Sequence, residues 1–286
     1  MDLTIWIVLR IILIIALFVL ALSIIQFIVN IHPPRFFDDD NPSNYGLEYE
    51  DISFKTSDEI NISAWLISSE KADGTVIVGH GYPFNKGNIL HVALFLYPKY
   101  NLLFYDHRYF GQSSGRISTV GLREVEDVKA ALRFVKKRFG NRPVAFYGFS
   151  ISASTMLMSK QNVSAIISDS AYANLENMVN QVFKIFGPFR YPFVELTNLL
   201  SLITFKVHPR EVSPAKDIKD SETPIFVIHG NKDSQIPVEE AYLIKESKPD
   251  VELWIVENAD HGQAYALYSS EYKKKVRSFL AKHMNS

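Results

Sequence analysis

The amino-acid sequence predicts an α/β fold in which a mainly parallel central sheet is covered by helices on both faces. Two observations predict this architecture. Short apolar runs, each long enough for one buried strand, alternate along most of the chain with longer segments of helical periodicity. Polar, glycine-rich residues directly follow most of these runs, as is typical where parallel strands end at one edge of a sheet.

The first predicted elements after residue 46 form an antiparallel hairpin. Residues 47–55 and 60–67 alternate between apolar and polar side chains, with Asp58 and Glu59 between them. Buried strands are then predicted at 75–78, 101–105, 144–147, 165–168, 225–228 and 252–256. Helices are predicted at 122–139, where Gly140 ends the apolar stripe, at 153–160 and, at the C-terminus, at 264–283.

One stretch, residues 172–212, interrupts this alternation. It has helical apolar patterns and many aromatic side chains instead of a strand pattern. Such side chains could simply fill the core, or they could form a small helical cap whose inner face lines an apolar substrate pocket. The position of the stretch between two late strands favours the cap.

The first 31 residues differ in character from the rest of the chain. Arg10 is the only charged residue between 3 and 29, and the segment 11–31 is long enough to cross the hydrocarbon core of a bilayer as a helix. A cleavable signal peptide ending near residues 21–23 is the alternative, but the apolar run continues past this position. We therefore expect a single transmembrane anchor at 1–31.

This anchor would be followed by a linker at 32–46 and by the α/β domain at 47–286, with the cap inside it. Arg10 precedes the span and Arg35 follows it, so the positive-inside rule leaves the side of the domain open. We expect a single-pass membrane protein and, of the two orientations, favour the one with the domain outside the cytoplasm.

Composition excludes several classes of function. The formal net charge is −1 and there is no basic block, so a nucleic-acid partner is not expected. The chain has no cysteine, which excludes disulfides, thiolate metal ligands and cysteine nucleophiles. Histidine pairs with the spacing of helical metal sites are also absent, so neither a metal nor another cofactor is expected.

The clearest chemical signal lies at residues 148–152, Gly-Phe-Ser-Ile-Ser, between a predicted strand and a predicted helix. A serine at such a sharp turn has its hydroxyl lifted above the sheet, beside the N–H groups of the helix N-terminus. Ser152 stands where this motif normally has glycine, and adds only a hydroxymethyl group. A literal Gly-x-Ser-x-Gly occurs around Ser113 at 111–115, but no strand leads into it and no helix follows. Ser150 is therefore the predicted nucleophile.

Three side chains suited to nucleophilic catalysis follow the ends of different predicted strands. Ser150, Asp233 and His261 come in this order along the chain. Because the carboxyl ends of parallel strands meet at one edge of a sheet, we expect these side chains to lie together. Asp106 and Asp169 also follow strands and are alternative carboxylates, but Asp233, two strands after the serine, fits the chain order better.

With these features the chain resembles the α/β-hydrolases over about residues 47–279. The resemblance rests on His80-Gly81, Asp106-His107-Arg108 with Gly111-Gln112-Ser113, Gly148-x-Ser150, His229-Gly230-x-x-Asp233 and Asp260-His261-Gly262. Within the family the chain is most similar to membrane-anchored or secreted serine hydrolases of the Bem46 and ABHD13-like type. The resemblance implies an α/β-hydrolase fold and loop-shaping, non-catalytic roles for His80 and His229.

The expected activity is cleavage of an ester or thioester bond in a small-molecule or lipid-like substrate with an apolar acyl group, through an acyl-enzyme. His261 is expected to act as general base and acid, and Asp233 to orient its ring. The backbone N–H groups of Tyr82 and Ile151 are expected to form the oxyanion hole. Two alternatives remain: a catalytically silent, membrane-anchored binding module and a serine peptidase.

Overall fold

The computed structural model of the protein describes residues 3–37 and 40–284. Residues 1 and 2 of the predicted anchor, residues 38 and 39 of the predicted linker and residues 285 and 286 lie outside the described residues. The chain forms two compact units. The smaller unit combines the chain up to His32 with Asn174–Val212, and the larger unit comprises Pro33–Ala173 and the chain from Ser213 onward.

A mainly parallel sheet lies at the centre of the larger unit. Its strands are β1 (Glu50–Lys55), β2 (Asn61–Ile67), β3 (Thr75–Gly79), β4 (Asn101–Tyr105), β5 (Val144–Phe149), β6 (Ala165–Asp169), β7 (Ile225–Gly230) and β8 (Glu252–Val256). They pair in the order β1-β2-β4-β3-β5-β6-β7-β8. β2 is antiparallel to both of its neighbours, and every other pairing in this sheet is parallel. The predicted parallel sheet and its initial hairpin are therefore confirmed.

The described chain contains α-helices in both units. They are α1 (Leu3–Ile31), α2 (Leu90–Ala93), α3 (Glu124–Phe139), α4 (Ile151–Met158), α5 (Leu175–Val182), α6 (Tyr191–Phe205), α7 (Pro214–Asp217), α8 (Glu239–Ser247), α9 (Ala264–Leu267) and α10 (Ser269–Met284). Short 3-10 turns lie at Pro42–Tyr45, Lys86–Ile89, Leu94–Leu96, Lys184–Arg190 and Pro209–Glu211.

The C-terminal helix differs from the prediction. The sequence predicts one helix at 264–283, whereas the chain forms α9 and then α10. The break lies at Tyr268, whose backbone leaves the helical region with φ −129° and ψ 41°. The apolar stripe runs through both helices, so side-chain periodicity alone could not reveal this change in the backbone.

Apolar side chains cover the sheet on both faces. On one face, Ile77 and Phe146 belong to a core that also includes residues of α3, α4 and α8. On the other face, Val76 and Tyr147 belong to a core that includes residues of α2 and α10. Successive residues of a strand point to opposite faces, so a strand with two cores must be apolar at every position. This is why the strands appear in the sequence as unbroken apolar runs.

The first residues of the predicted linker are bound to the larger unit. The Arg35 guanidinium donates a hydrogen bond to the carbonyl of Gly111 at 2.7 Å. The Tyr109 hydroxyl donates to the carbonyl of Pro33, also at 2.7 Å. This part of the linker therefore packs against the loop that follows β4.

The smaller unit is helical. Phe183, Phe193 and Val194 form its buried cluster, against which Val19 and Leu22 of α1 pack. α1 has the length and apolar composition needed to cross a membrane, and only 6% of its most apolar window is buried. The core helix of a soluble protein would be mostly buried, so α1 does not have that role.

Candidate active site

Ser150 lies in a sharp turn between β5 and α4. Its backbone has φ 57° and ψ −116°, a sparsely populated region for a residue with a side chain, and such strain concentrates at functional sites. The Ser150 N–H donates to the carbonyl of Asp169 at 2.8 Å, which helps to hold the turn. Gly148 permits the close return of the helix, since a Cβ there would lie 2.5 Å from the backbone nitrogen of Ala153.

The structure brings Ser150, His261 and Asp233 together. The distance between Ser150 Oγ and His261 Nε2 is 3.1 Å, and His261 Nδ1 lies 2.8 Å from Asp233 Oδ2. The other oxygen of Asp233 accepts hydrogen bonds from the backbone N–H groups of Gln235 and Ile236, at 3.0 and 2.8 Å. The carboxylate is thus held in place while one oxygen faces the imidazole, which is the arrangement that a base-activated serine requires.

Asp260 connects the two loops that carry this carboxylate and this imidazole. Its Oδ1 accepts hydrogen bonds from the N–H and hydroxyl of Ser234 and from the N–H of His261, at distances between 2.7 and 2.9 Å. The bond from the Ser234 backbone contributes most to holding the pKa of Asp260 below its usual value. Sequence reasoning assigned no role to Asp260, although its position directly before His261 was an available signal.

The two predicted oxyanion donors lie on elements that flank Ser150. Ile151 is the first residue of α4, and an N–H group in the first turn has no carbonyl partner within its own helix. Tyr82 follows Gly81, where a Cβ would lie 3.4 Å from the Ser150 Cβ and 2.7 Å from the Phe149 ring. Glycine therefore allows this loop to approach the serine closely. Convergence of the two N–H groups on one substrate oxygen stays a prediction.

Ser152 of α4 is accommodated by a glycine on β3, the strand that pairs with β5. It is fully buried, donates a hydrogen bond to the carbonyl of His80, and lies 2.8 Å from His107 Nε2. A Cβ on Gly79 of β3 would lie 2.5 Å from the Ser152 Oγ. The close approach that glycine normally provides at position 152 is therefore provided here by Gly79.

This pairing predicts non-additive effects on stability. Gly79→Ala is expected to lower the free energy of unfolding by about 1–3 kcal/mol through overpacking. The double variant Gly79→Ala/Ser152→Gly removes the clash, so it should be at least about 1 kcal/mol more stable than the sum of the single effects predicts. Denaturant unfolding of the full chain in detergent micelles measures both quantities, and strictly additive effects would contradict the proposed contact.

Two buried histidines support the loops beside Ser150. His80 Nε2 accepts a hydrogen bond from the His107 backbone N–H at 3.0 Å, and the His80 Nδ1 lies 2.8 Å from the Gly81 carbonyl. Burial lowers the pKa of each imidazole to about 4, a value to which the neighbouring His107 also contributes in the case of His80. The charged side chains that act on the two rings include Lys86, Asp106, Arg108 and Glu124.

These histidines predict acid-sensitive folding. Their folded pKa values lie below the ordinary value of 6.5, so protons bind preferentially to the unfolded chain. Their contribution to stability is complete above pH 6.5 and is lost as the pH falls toward about 4, at up to about 1.4 kcal/mol per pH unit for each histidine. Unfolding titrations at a series of pH values test this, with His107→Gln as the variant whose slope should be shallower. Burial raises the pKa of Asp127, 3.3 Å from His107 Nδ1, to about 6, so this carboxyl adds stability as the pH falls over the same range and opposes the loss. A pH dependence that His107→Gln leaves unchanged would show that His107 is not buried in its neutral form.

The alternative serine and carboxylates have other partners. The Ser113 hydroxyl is buried and donates to the Asp106 carbonyl. The Asp106 carboxylate forms an ion pair with Lys86 Nζ at 2.7 Å. The Asp169 carboxylate accepts hydrogen bonds from the hydroxyl groups of Tyr272 and Ser170, at 2.7 and 3.0 Å. These bonds are structural, so the geometry favours Ser150 and Asp233 for the chemical roles.

His229 supports the Asp233 loop. Its Nε2 lies 2.8 Å from the carbonyl oxygen of Ile236 and 3.5 Å from Asp233 Oδ2. Its ring therefore packs behind the carboxylate, on the strand β7 that leads into this loop. A loop-shaping role fits this position, as it does for His80.

A cavity of about 270 Å³ opens beside the serine turn, within the larger unit. Phe149, which precedes Ser150, and Gly262, which follows His261, belong to its wall. The remaining lining residues are His80, Gly81, Phe84, Asn88, Ile89, His91, Val92, Asp169 and Tyr265. The wall is mainly apolar and aromatic, with a few polar groups, as is typical of sites for small organic ligands. Its volume is about that of nine water molecules in the liquid.

A protein-family model described as serine aminopeptidase, S33, matches residues 70–212, which is half of the chain. The matched segment includes Ser150, and Asp233 and His261 lie beyond it. Among curated proteins, the uncharacterized protein YqkD of Bacillus subtilis is 27% identical over 231 residues, which covers 77% of this chain and 75% of YqkD.

Two yeast proteins are also similar. Protein bem46 of Schizosaccharomyces pombe is 23% identical, over 71% of this chain and 67% of its own length. The uncharacterized membrane protein YNL320W of Saccharomyces cerevisiae is 22% identical, over 69% and 67%. Among solved structures, an esterase of Pyrococcus furiosus superposes with a TM-score of 0.72 at 28% identity, and the match covers 89% of this chain and 98% of that chain.

Proposed function

Because the chain belongs to the serine aminopeptidase S33 family, a family of α/β-hydrolases, we propose that it is a serine hydrolase that cleaves esters of apolar acyl groups with Ser150, His261 and Asp233. The predicted resemblance to α/β-hydrolases, with bem46 among the relatives, is confirmed. The observation that carries the proposed chemistry is the continuous hydrogen-bonded series from Ser150 Oγ through His261 to Asp233.

The proposed reaction has two halves. His261 Nε2 takes the hydroxyl proton as Ser150 Oγ bonds to the acyl carbon, and the carbonyl electron pair moves to the oxygen, which the N–H groups of Tyr82 and Ile151 would stabilise. When the intermediate collapses, the bond to the leaving alkoxide or thiolate breaks, and His261 donates its proton to that group. His261 then takes a proton from a water molecule that bonds to the acyl carbon. The bond to Ser150 Oγ breaks, His261 returns the proton to Ser150, and the acid is released.

The cavity beside Ser150 supports an apolar acyl group. Its aliphatic and aromatic wall would remove a hydrocarbon chain from water, and its volume suits a short or medium chain. A thioester with the same acyl group would fit equally well, because the carbonyl carbon and the acyl chain are unchanged.

The family description makes an aminopeptidase the second candidate. Such an enzyme needs a carboxylate that binds the free α-ammonium group of a peptide. Asp169 is a carboxylate in the cavity wall, and burial raises its pKa. Both of its oxygens already accept hydrogen bonds from hydroxyl groups. Because both oxygens are already bonded within the protein, this site favours the ester over the peptide.

We also propose that α1 anchors the enzyme in a membrane as a single-pass helix. The support is its exposed, apolar length of 29 residues, together with the similarity to a yeast protein described as a membrane protein.

The acyl-chain preference tests the proposed substrate class. Wild-type protein should hydrolyse p-nitrophenyl butyrate and octanoate with a higher kcat/KM than the acetate. Val92→Phe places a larger side chain in the cavity wall, so kcat/KM for the octanoate should fall about tenfold or more while that for the acetate changes less than about threefold.

Val92→Ala is the matched control, and it should shift the preference toward longer chains. An equal change in kcat/KM for all acyl chain lengths would show that this cavity does not bind the acyl group. Aminoacyl p-nitroanilides assayed beside the esters decide between the two candidates, since faster cleavage of the anilides would favour the peptidase.

A further inference from the structure

α6 of the smaller unit packs alongside the C-terminal half of α1. The Phe18 and Phe193 rings meet edge to face with centroids 6.3 Å apart, and those of Phe27 and Phe205 lie 5.8 Å apart. The Ser23 hydroxyl is buried between these contacts, 3.5 Å from the Phe193 carbonyl. Residue numbers rise together along both helices, so α6 runs in the same direction as α1.

The 182–205 segment exposes several large apolar side chains, together with the charged residues Lys184 and Glu195. Ile185 and Phe189 are 88% and 78% exposed. The large apolar side chains that are exposed between residues 185 and 203, called the apolar edge, are Ile185, Phe189, Tyr191, Leu199, Leu202 and Ile203. An exposed cluster of large apolar side chains, next to a helix that is itself apolar on all sides, indicates contact with a nonaqueous phase.

The length of α1 sets the depth of this edge. At 1.5 Å per residue the helix is about 43 Å long, whereas a hydrocarbon core is about 30 Å thick. Arg10 reaches back over the Trp6 ring, with its guanidinium carbon 3.9 Å from the ring centre, which is the arrangement of an arginine and a tryptophan at a membrane interface. Counting about 30 Å from Trp6 places the other boundary near Ile25.

With this placement, the contacts of α6 fall inside the bilayer. Phe18 lies about 10 Å below the boundary at Ile25, and Phe27 lies just beyond it. Phe193, which contacts Phe18, therefore marks the deep end of α6, and Phe205 marks the end at the boundary. α6 therefore runs alongside α1 from about 10 Å inside the hydrocarbon core to its boundary.

Of the charged residues of this segment, Lys206 follows the end of α6 at the boundary, whereas Arg190 and Glu195 lie near the deep end marked by Phe193. Glu195 is the only charged residue within α6, and Arg190 and Lys206 stand at its two ends. The Arg190 guanidinium lies 5.2 Å from the centre of the Tyr191 ring. Long cationic side chains can extend to the headgroups while their stems stay in the apolar layer, and anionic headgroups attract them.

From these observations we propose that the apolar edge inserts into the bilayer leaflet that contains the C-terminal half of α1. The lipid bilayer is then the partner of the smaller unit. This inference rests on the membrane anchor of the proposed function. The smaller unit, which contains α1 and α6, is then embedded in the membrane.

Site-directed spin labelling tests this directly, because the chain has no cysteine and single-cysteine variants need no background substitutions. The full chain is reconstituted in vesicles of phosphatidylcholine and phosphatidylglycerol at a 3:1 ratio. Ile185→Cys and Phe189→Cys report on the apolar edge, and Ile14→Cys reports on α1. The matched control is Tyr242→Cys on α8, an aromatic side chain of the larger unit that is 51% exposed.

The ratio of label accessibility to oxygen and to a water-soluble nickel chelate is the readout. Labels at 185 and 189 should have a ratio at least threefold higher than the label at 242, approaching that at 14. A ratio at 185 and 189 equal to that at 242 would overturn the inference, and so would an aqueous ratio at 14. The measurement needs no turnover and can be repeated in the Ser150→Ala variant, so its failure is distinguishable from failure of the proposed chemistry.

Discussion

Replacing Ser150 by alanine should lower the turnover of p-nitrophenyl esters by about four to six orders of magnitude and abolish labelling by a fluorophosphonate probe. In the proposed reaction, the substitution removes the oxygen that would bond to the acyl carbon and leaves the His261–Asp233 pair without its partner. The fold should be retained, because alanine lacks only the hydroxyl and the Ser150 N–H still donates to Asp169. Rates of ester hydrolysis and in-gel fluorescence of the full chain in detergent measure both effects.

The control variant is Ser113→Ala, in the literal Gly-x-Ser-x-Gly at 111–115. Ser113 contacts the Asp106 carbonyl and the Ser63 N–H, so its loss should reduce stability while labelling persists. Labelling that disappears in Ser113→Ala and persists in Ser150→Ala would refute the assignment. A folded wild-type protein that neither labels nor hydrolyses any ester would favour the silent binding module.

Replacing Asp106 by alanine should lower the free energy of unfolding by about 3–5 kcal/mol, because it leaves a buried ammonium group without its counter-charge. The Lys86 and Asp106 side chains are 3% and 0% exposed, and they form an ion pair at 2.7 Å. Asp106 also accepts hydrogen bonds from the backbone N–H groups of Lys86 and Gln112, which alanine would leave unsatisfied. Denaturant unfolding of the full chain in micelles provides the measurement.

An exposed ion pair provides the comparison. Lys282 and Glu252 also pair at 2.9 Å, but their side chains are 62% and 48% exposed, so Glu252→Ala should change stability by less than about 1 kcal/mol. If Asp106→Ala were no more destabilising than this control, the buried ion pair would not stabilise the loops that surround Ser150. A rescue of stability by the double variant Lys86→Met/Asp106→Ala would identify the unpaired charge as the cause of the loss.

The sequence by itself determined the sheet and the edge at which the candidate site lies. Unbroken apolar runs and strand-end polar residues are local properties, since a strand with cores on both faces must be apolar at each position. The serine turn is local too, because its strand, glycine and helix are contiguous. The extreme apolarity of residues 11–31 likewise needs no tertiary partner to be recognised.

Only the tertiary structure decided which of these residues meet. Three carboxylates follow strands, but Asp233 is the one placed 2.8 Å from the His261 imidazole, and that imidazole meets a serine 111 residues away in the chain. The tolerance of Ser152 depends on Gly79, on a different strand. The physical reason is that these contacts depend on how distant segments cross and pack, which side-chain periodicity along a single segment does not encode.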